Sequence, residues 1–105
     1  MSIKGVLKEE LENSERMKIR YEEALARLPK GSLIRKTING HRYYYLQVRE
    51  NGKVSFAYKG KTVDEAVVKQ YQEAKVMRAK YRTLLSQTKK QIKFLKGVLR
   101  GQEAI

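Results

Sequence analysis

Residues 33–61 read LIRKTI-NG-HRYYYLQVRE-NG-KVSFAYKGK, β-branched and aromatic runs broken by Asn-Gly at 39–40 and again at 51–52. Asn-Gly between such runs is the strongest short-range hairpin signal a sequence carries, and two of them predict a three-stranded antiparallel β-meander over about residues 33–59. The turns also set the register. Two-residue loops place Leu46 and Val48 opposite Ala57 and Ser55 and mix polar with apolar residues on each face. Three-residue loops, Ile38-Asn39-Gly40 and Glu50-Asn51-Gly52, place Leu46 against Phe56, Val48 against Val54 and Tyr44 against Tyr58. The second register is the one expected. It gives an inner face of Ile34, Tyr44, Leu46, Val48, Val54, Phe56 and Tyr58. The outer face then carries Arg35, Thr37, Tyr43, Tyr45, Gln47, Arg49, Lys53, Ser55 and Lys59, with no acid on it.

Helical patterns flank the meander. Leu7, Leu11, Tyr21, Leu25 and Leu28 follow a four-three spacing with polar breaks at Ser14 and Lys18, and Pro29 ends the run, so a first helix is expected over about 3–28. Thr62-Val63-Asp64-Glu65 reads as a capping box with Thr62 as the cap. From there a long seam runs Val67, Tyr71, Ala74, Arg78, Tyr81, Leu85, Thr88, Ile92, Leu95, Leu99, predicting a second helix over about 63–99. The fold class is therefore α+β in one domain of residues 1–105: a long N-terminal helix, the meander and a long C-terminal helix, with the helices paired as an antiparallel, coiled-coil-like hairpin. At ~1.5 Å per residue the helices span roughly 40 and 55 Å. With Leu28 level with the start of the second helix, Leu7 reaches only to Thr88. Ile92, Leu95 and Leu99 are then left over as an expected oligomer interface.

The 105 residues include 24 Lys and Arg against 11 Asp and Glu, a net charge of +13, and the isoelectric point is near 10.1. The excess is segregated: residues 1–28 are neutral, whereas 29–62 hold eight basic residues and one acid, and 63–105 hold ten and four. A basic surface interleaved with tyrosines favours a polyanion. Arginine and glutamine on a β-ribbon reach base edges, lysines contact phosphates, and tyrosines stack on bases or pack on sugars. Nucleic acid is the expected partner, DNA ahead of RNA. The expected contacts are Arg35, Tyr43, Tyr45, Gln47, Arg49, Lys53 and Lys59 on the sheet and Arg78, Arg82 and Lys89 on the second helix.

GHRYYYLQVRENGKVSFAYKGK resembles a YYYL-x-x-R-x-x-GK-V pattern ending in Y-x-GK. That pattern occurs in small archaeal and bacterial proteins and at the front of some transposases and Fic-domain proteins. The stretch is also similar to the arm-binding domain of tyrosine recombinases, a three-stranded sheet followed by a helix, with KTVDEA where that helix begins. The resemblance covers about a quarter of the chain. It implies a DNA-handling context with Tyr43, Tyr45, Gln47 and Arg49 as sheet contacts, and it transfers no catalytic residue.

Other functions find less support. His41 is the only histidine and lies beside a turn, most carboxylates line the first helix opposite Lys and Arg, and there is no cysteine. No phosphate loop, metal-ligand spacing or nucleophile–base pair is present, so neither an enzyme, a cofactor nor a metal is expected. KKQIKFLKGVLRG at 89–101 is a basic amphipathic stretch whose stripe suits a second copy of the chain or a protein partner better than a membrane. No apolar run approaches ~20 residues, and the first residues lack the apolar core of a signal peptide, so a cytoplasmic location is expected. The alternative function is a non-enzymatic protein-interaction or oligomerising coiled-coil module, including a mobile-element-encoded antagonist that occupies a nucleic-acid groove on a larger machine. Ser14, Lys18 and Arg78 would there set register or partner choice.

Overall fold

The computed structural model describes residues 2–103. In chain order it contains α1 (Ile3–Arg27), β1 (Ser32–Ile38), β2 (His41–Glu50), β3 (Lys53–Gly60) and α2 (Glu65–Glu103), an α+β arrangement with the helix–meander–helix order read from the sequence. The chain forms two compact units: a helical unit of residues 2–27 and 79–103, and a sheet unit, Leu28–Arg78. None of the helices described is long and apolar enough to cross a membrane.

In the helical unit α1 packs along the later part of α2. The 39-residue α2 contributes its residues 65–78 to the sheet unit, and the remaining 79–103 match the 25 residues of α1 in length. Tyr21 and Tyr81 have ring centres 6.0 Å apart, and Glu15 pairs with Lys96 at 3.9 Å, well past the level of Thr88. This corrects the expected overhang. Ile92, Leu95 and Leu99 are 8, 5 and 7% exposed and form the apolar core of this unit, so they do not present a free stripe to a second copy. The physical reason is that the first turns of α2 are committed to the sheet unit, which leaves α1 the later turns to cover. Two polar residues share the seam. Ser14 is buried, and the buried Thr88 donates its hydroxyl to the Leu84 carbonyl at 2.8 Å, which satisfies it inside the helix.

In the sheet unit the strand order is β1-β2-β3, antiparallel throughout. Both turns are two-residue loops, because Ile38 pairs with His41 and Glu50 with Lys53. The three-residue loops and the register built on them are thereby corrected. Asn39 and Asn51 have φ of 51° and 52°, followed by Gly40 and Gly52 at 78° and 75°, so each Asn-Gly supplies the two left-handed residues of a type I′ turn. That turn's twist matches the twist of the flanking strands, and this advantage outweighs the mixing of side chains on the faces. Leu46 accordingly lies opposite Leu33 and Ala57, and Val48 opposite Ser55. The pairing shifts between Tyr44 and Tyr45, which face Gly60 and Tyr58 and leave Lys59 as the extra residue of a bulge.

Two contacts finish the sheet unit. Asp64, rather than Thr62, caps α2: its Oδ1 accepts from the Ala66 amide at 3.0 Å and its carbonyl from the Val67 and Val68 amides at 2.9 and 3.1 Å. Aspartate caps at least as well as threonine and adds a negative charge at the positive end of the dipole, so the helix starts two residues later than expected. The Arg78 guanidinium donates to the Pro29 carbonyl at 2.6 Å, tying the chain before β1 to α2.

Candidate nucleic-acid interface

Side chains alternate across a strand, so the two-residue register sorts the sheet into faces different from those expected. β2 keeps its parity: Tyr43, Tyr45, Gln47 and Arg49 share one face and Tyr44, Leu46 and Val48 the other. β1 and β3 exchange sides. Ile34, Lys36, Val54, Phe56 and Tyr58 join Tyr45, whereas Arg35, Arg42, Ser55 and Ala57 join Leu46. The face around Tyr45 is therefore a bank of rings rather than a row of cations.

The geometry of that bank is continuous. The His41 and Tyr43 rings are 6.4 Å apart between centres, Tyr43 and Tyr58 6.0 Å, and Tyr45 and Tyr58 5.6 Å with their planes at 63°. Tilted and edge-on pairs of this kind suit the ring quadrupoles and contribute about 0.5–1.5 kcal/mol each beyond area. Lys36 extends into the bank, its Nζ 3.5 Å from the centre of the Phe56 ring and 5.2 Å from that of Tyr45. The contact holds a cation over the rings by their negative faces. Phe56 is 47% exposed and Tyr58 58% exposed, and none of the strand residues on this face is acidic.

The expected contacts now separate. Tyr43, Tyr45, Gln47 and Arg49 lie together on the ring-bearing face. Arg35 is on the opposite face, directly across from Tyr44, whose phenolic oxygen accepts from its guanidinium. Lys53 has the same parity as Leu46 and stands across from Glu50, and Lys59 occupies the bulge. Arg78 is half-buried and engaged with Pro29, so it is not the free surface cation expected. Arg82 and Lys89 are exposed on α2 in the helical unit, where Lys89 joins Lys18, Lys93, Lys96 and Arg100 around Ile92. Phe56, Tyr58 and Lys36 were missed because the first two were assigned to the core. The signal that finds them is the Asn-Gly pair itself, read as a two-residue turn. Among the described residues no group of three or more His, Cys, Asp or Glu is placed to hold a metal ion.

A family model described as "Domain of unknown function (DUF6788)" matches residues 7–70, from the first turns of α1 through the whole sheet to the first turns of α2. No curated protein and no solved structure matches the chain.

Proposed function

The chain belongs to the DUF6788 family, a domain of unknown function, and from that premise we propose that it is a nucleic-acid-binding protein that holds single-stranded DNA or RNA on the ring-bearing face of its sheet. The observation that carries this is the bank of rings formed by half-buried Tyr43 and Tyr45 on β2 and exposed Phe56 and Tyr58 on β3, with Lys36 set among them. Every base has a π-face, and base–aromatic stacking contributes about 1–3 kcal/mol per base. Lys36 and Arg49 supply cations for the phosphates alongside. A duplex keeps its bases stacked on one another, so a face that offers rings more than guanidinium groups suits unpaired bases. The net charge of +13 adds long-range attraction that salt weakens. On this reading the protein acts by binding, not by catalysis.

The test is fluorescence anisotropy with a labelled single strand and the matching duplex at several salt concentrations. The single strand should bind more tightly, with a log–log salt slope of about −0.7 per phosphate contacted. Absence of single-strand binding at low salt contradicts the proposal. A protein partner on the helical unit is the second reading. It is favoured by Phe94, which is 67% exposed beside Lys90, Lys93 and Val98. Phe94→Glu should leave strand binding unchanged under the first reading and abolish partner binding under the second.

A further inference from the structure

On the other face of the sheet, and wholly within the sheet unit, Arg35, Arg42 and Tyr44 from the strands converge with Lys61 of the β3–α2 connection and Glu65 and Val68 of α2 on a groove of about 780 Å³. That volume lies in the ~300–1,000 Å³ range of small-ligand clefts. Arg35 is already ordered there. Its Nε donates to the Tyr44 hydroxyl at 2.8 Å, its Nη2 donates to the same oxygen, and its Cζ stands 4.8 Å from the ring centre. A tyrosine hydroxyl fixes the guanidinium without neutralising it, so the group keeps its charge and its remaining N–H donors. Among the described residues, none of Arg35, Arg42 and Lys61 is ion-paired with a carboxylate. Lys69, also on the groove, shares its charge with Glu73 at 3.9 Å. The groove is thus lined by four cations and one acid, Glu65, and with Lys69 offset by Glu73 the lining keeps a surplus of two positive charges.

We propose that this groove binds the terminal phosphate of a nucleotide. The inference rests on the nucleic-acid reading for its ligand class but uses the opposite face of the sheet. A phosphate monoester carries about −1.5 to −2 charges at pH 7, which the surplus balances, whereas an internal phosphodiester carries only one. Arginine held in a fixed plane suits bidentate contact to phosphate oxygens. Val63 and Val68 give an apolar wall for the sugar or base. Glu65 is placed to accept from a sugar hydroxyl instead of repelling the phosphate held on the cations. The ligand has two sources, a free nucleotide or the phosphorylated 5′ end of the bound strand.

The experiment compares two oligonucleotides of one sequence, a 5′-phosphorylated and a 5′-hydroxyl strand, and ATP alone, on the full chain. The 5′-phosphate should tighten binding about tenfold, and Arg42→Gln and Lys61→Gln should each remove the difference while leaving the affinity for the hydroxyl strand nearly unchanged. Both residues are exposed, and circular dichroism checks that the variants fold. ATP binding as tight as that of the phosphorylated end, and lost in the same variants, assigns the groove to free nucleotides. A gain seen only on the strand assigns it to strand ends. Equal binding of the two strands with no ATP binding overturns the groove and leaves the ring-bearing face standing. ATP binding with neither strand bound does the reverse.

Discussion

Leu95 on α2 and Phe56 on β3 are both large apolar side chains in regular structure, yet the first is 5% exposed and the second 47%. The helical unit hides its apolar residues: Ile92, Leu95 and Leu99 lie along the seam that α1 covers. The sheet unit leaves Val54, Phe56 and Tyr58 open on β3, an edge strand whose residues from Lys53 to Lys59 are all exposed. A chain able to bury three consecutive seam residues in one unit shows rings in the other, where Lys36 lies over Phe56 and leaves it 47% exposed. The contrast is that between a core, where side chains serve stability, and an open face, which the proposed function assigns to nucleic acid.

Substituting either residue tests the contrast most strongly. Leu95→Ala should cost about 2–5 kcal/mol in urea unfolding, because it opens a cavity in the seam. Phe56→Ala should cost only about 1 kcal/mol or less, the scale of an exposed cation–π contact. Equal costs would mean that Phe56 is core and the contrast false.

Gly31 probes how tightly the opposite face of the sheet is packed. Its φ is +94°, and an added Cβ would meet the Gln47 carbonyl oxygen at 2.7 Å and side chains of Val48 and Leu46 near 3 Å. Gly31→Ala should destabilise by about 1–3 kcal/mol, and a neutral result in thermal melting would show that this corner yields. Asp64→Ala removes the cap of α2 and should cost about 1 kcal/mol by the same measurement. Thr62→Ala, which loses no cap, should be close to neutral. At the small end is Lys96→Ala. It breaks a 3.9 Å pair with Glu15 between two half-exposed side chains, and should change stability by less than about 1 kcal/mol.

The elements were legible because each has a local cause. Pro29 stops α1, the Asn-Gly pairs turn the strands, and the Asp64 region opens α2 within two residues of the expected start. The faces of the sheet were not, because the register was chosen to gather apolar residues on one side. That choice assumes that every strand has a buried face, and β3 has none. The rings of Tyr43 and Tyr45 were placed correctly with Gln47 and Arg49 since they lie on β2, whose parity does not depend on the loops. Phe56, Tyr58 and Arg35 changed sides with the register. The helices pair as the sequence implied, but their alignment was off for a related reason: lengths alone align two helices only if both belong wholly to one unit, and α2 is shared between two.

The most direct measurement is the affinity of a single-stranded oligonucleotide for the Tyr45→Ala/Phe56→Ala double variant, with circular dichroism to establish that the sheet is intact. Loss of two stacking rings at about 1 kcal/mol or more each should weaken binding at least about thirtyfold. A folded double variant that binds as tightly as the parent would contradict the assignment of the ring-bearing face as the nucleic-acid surface.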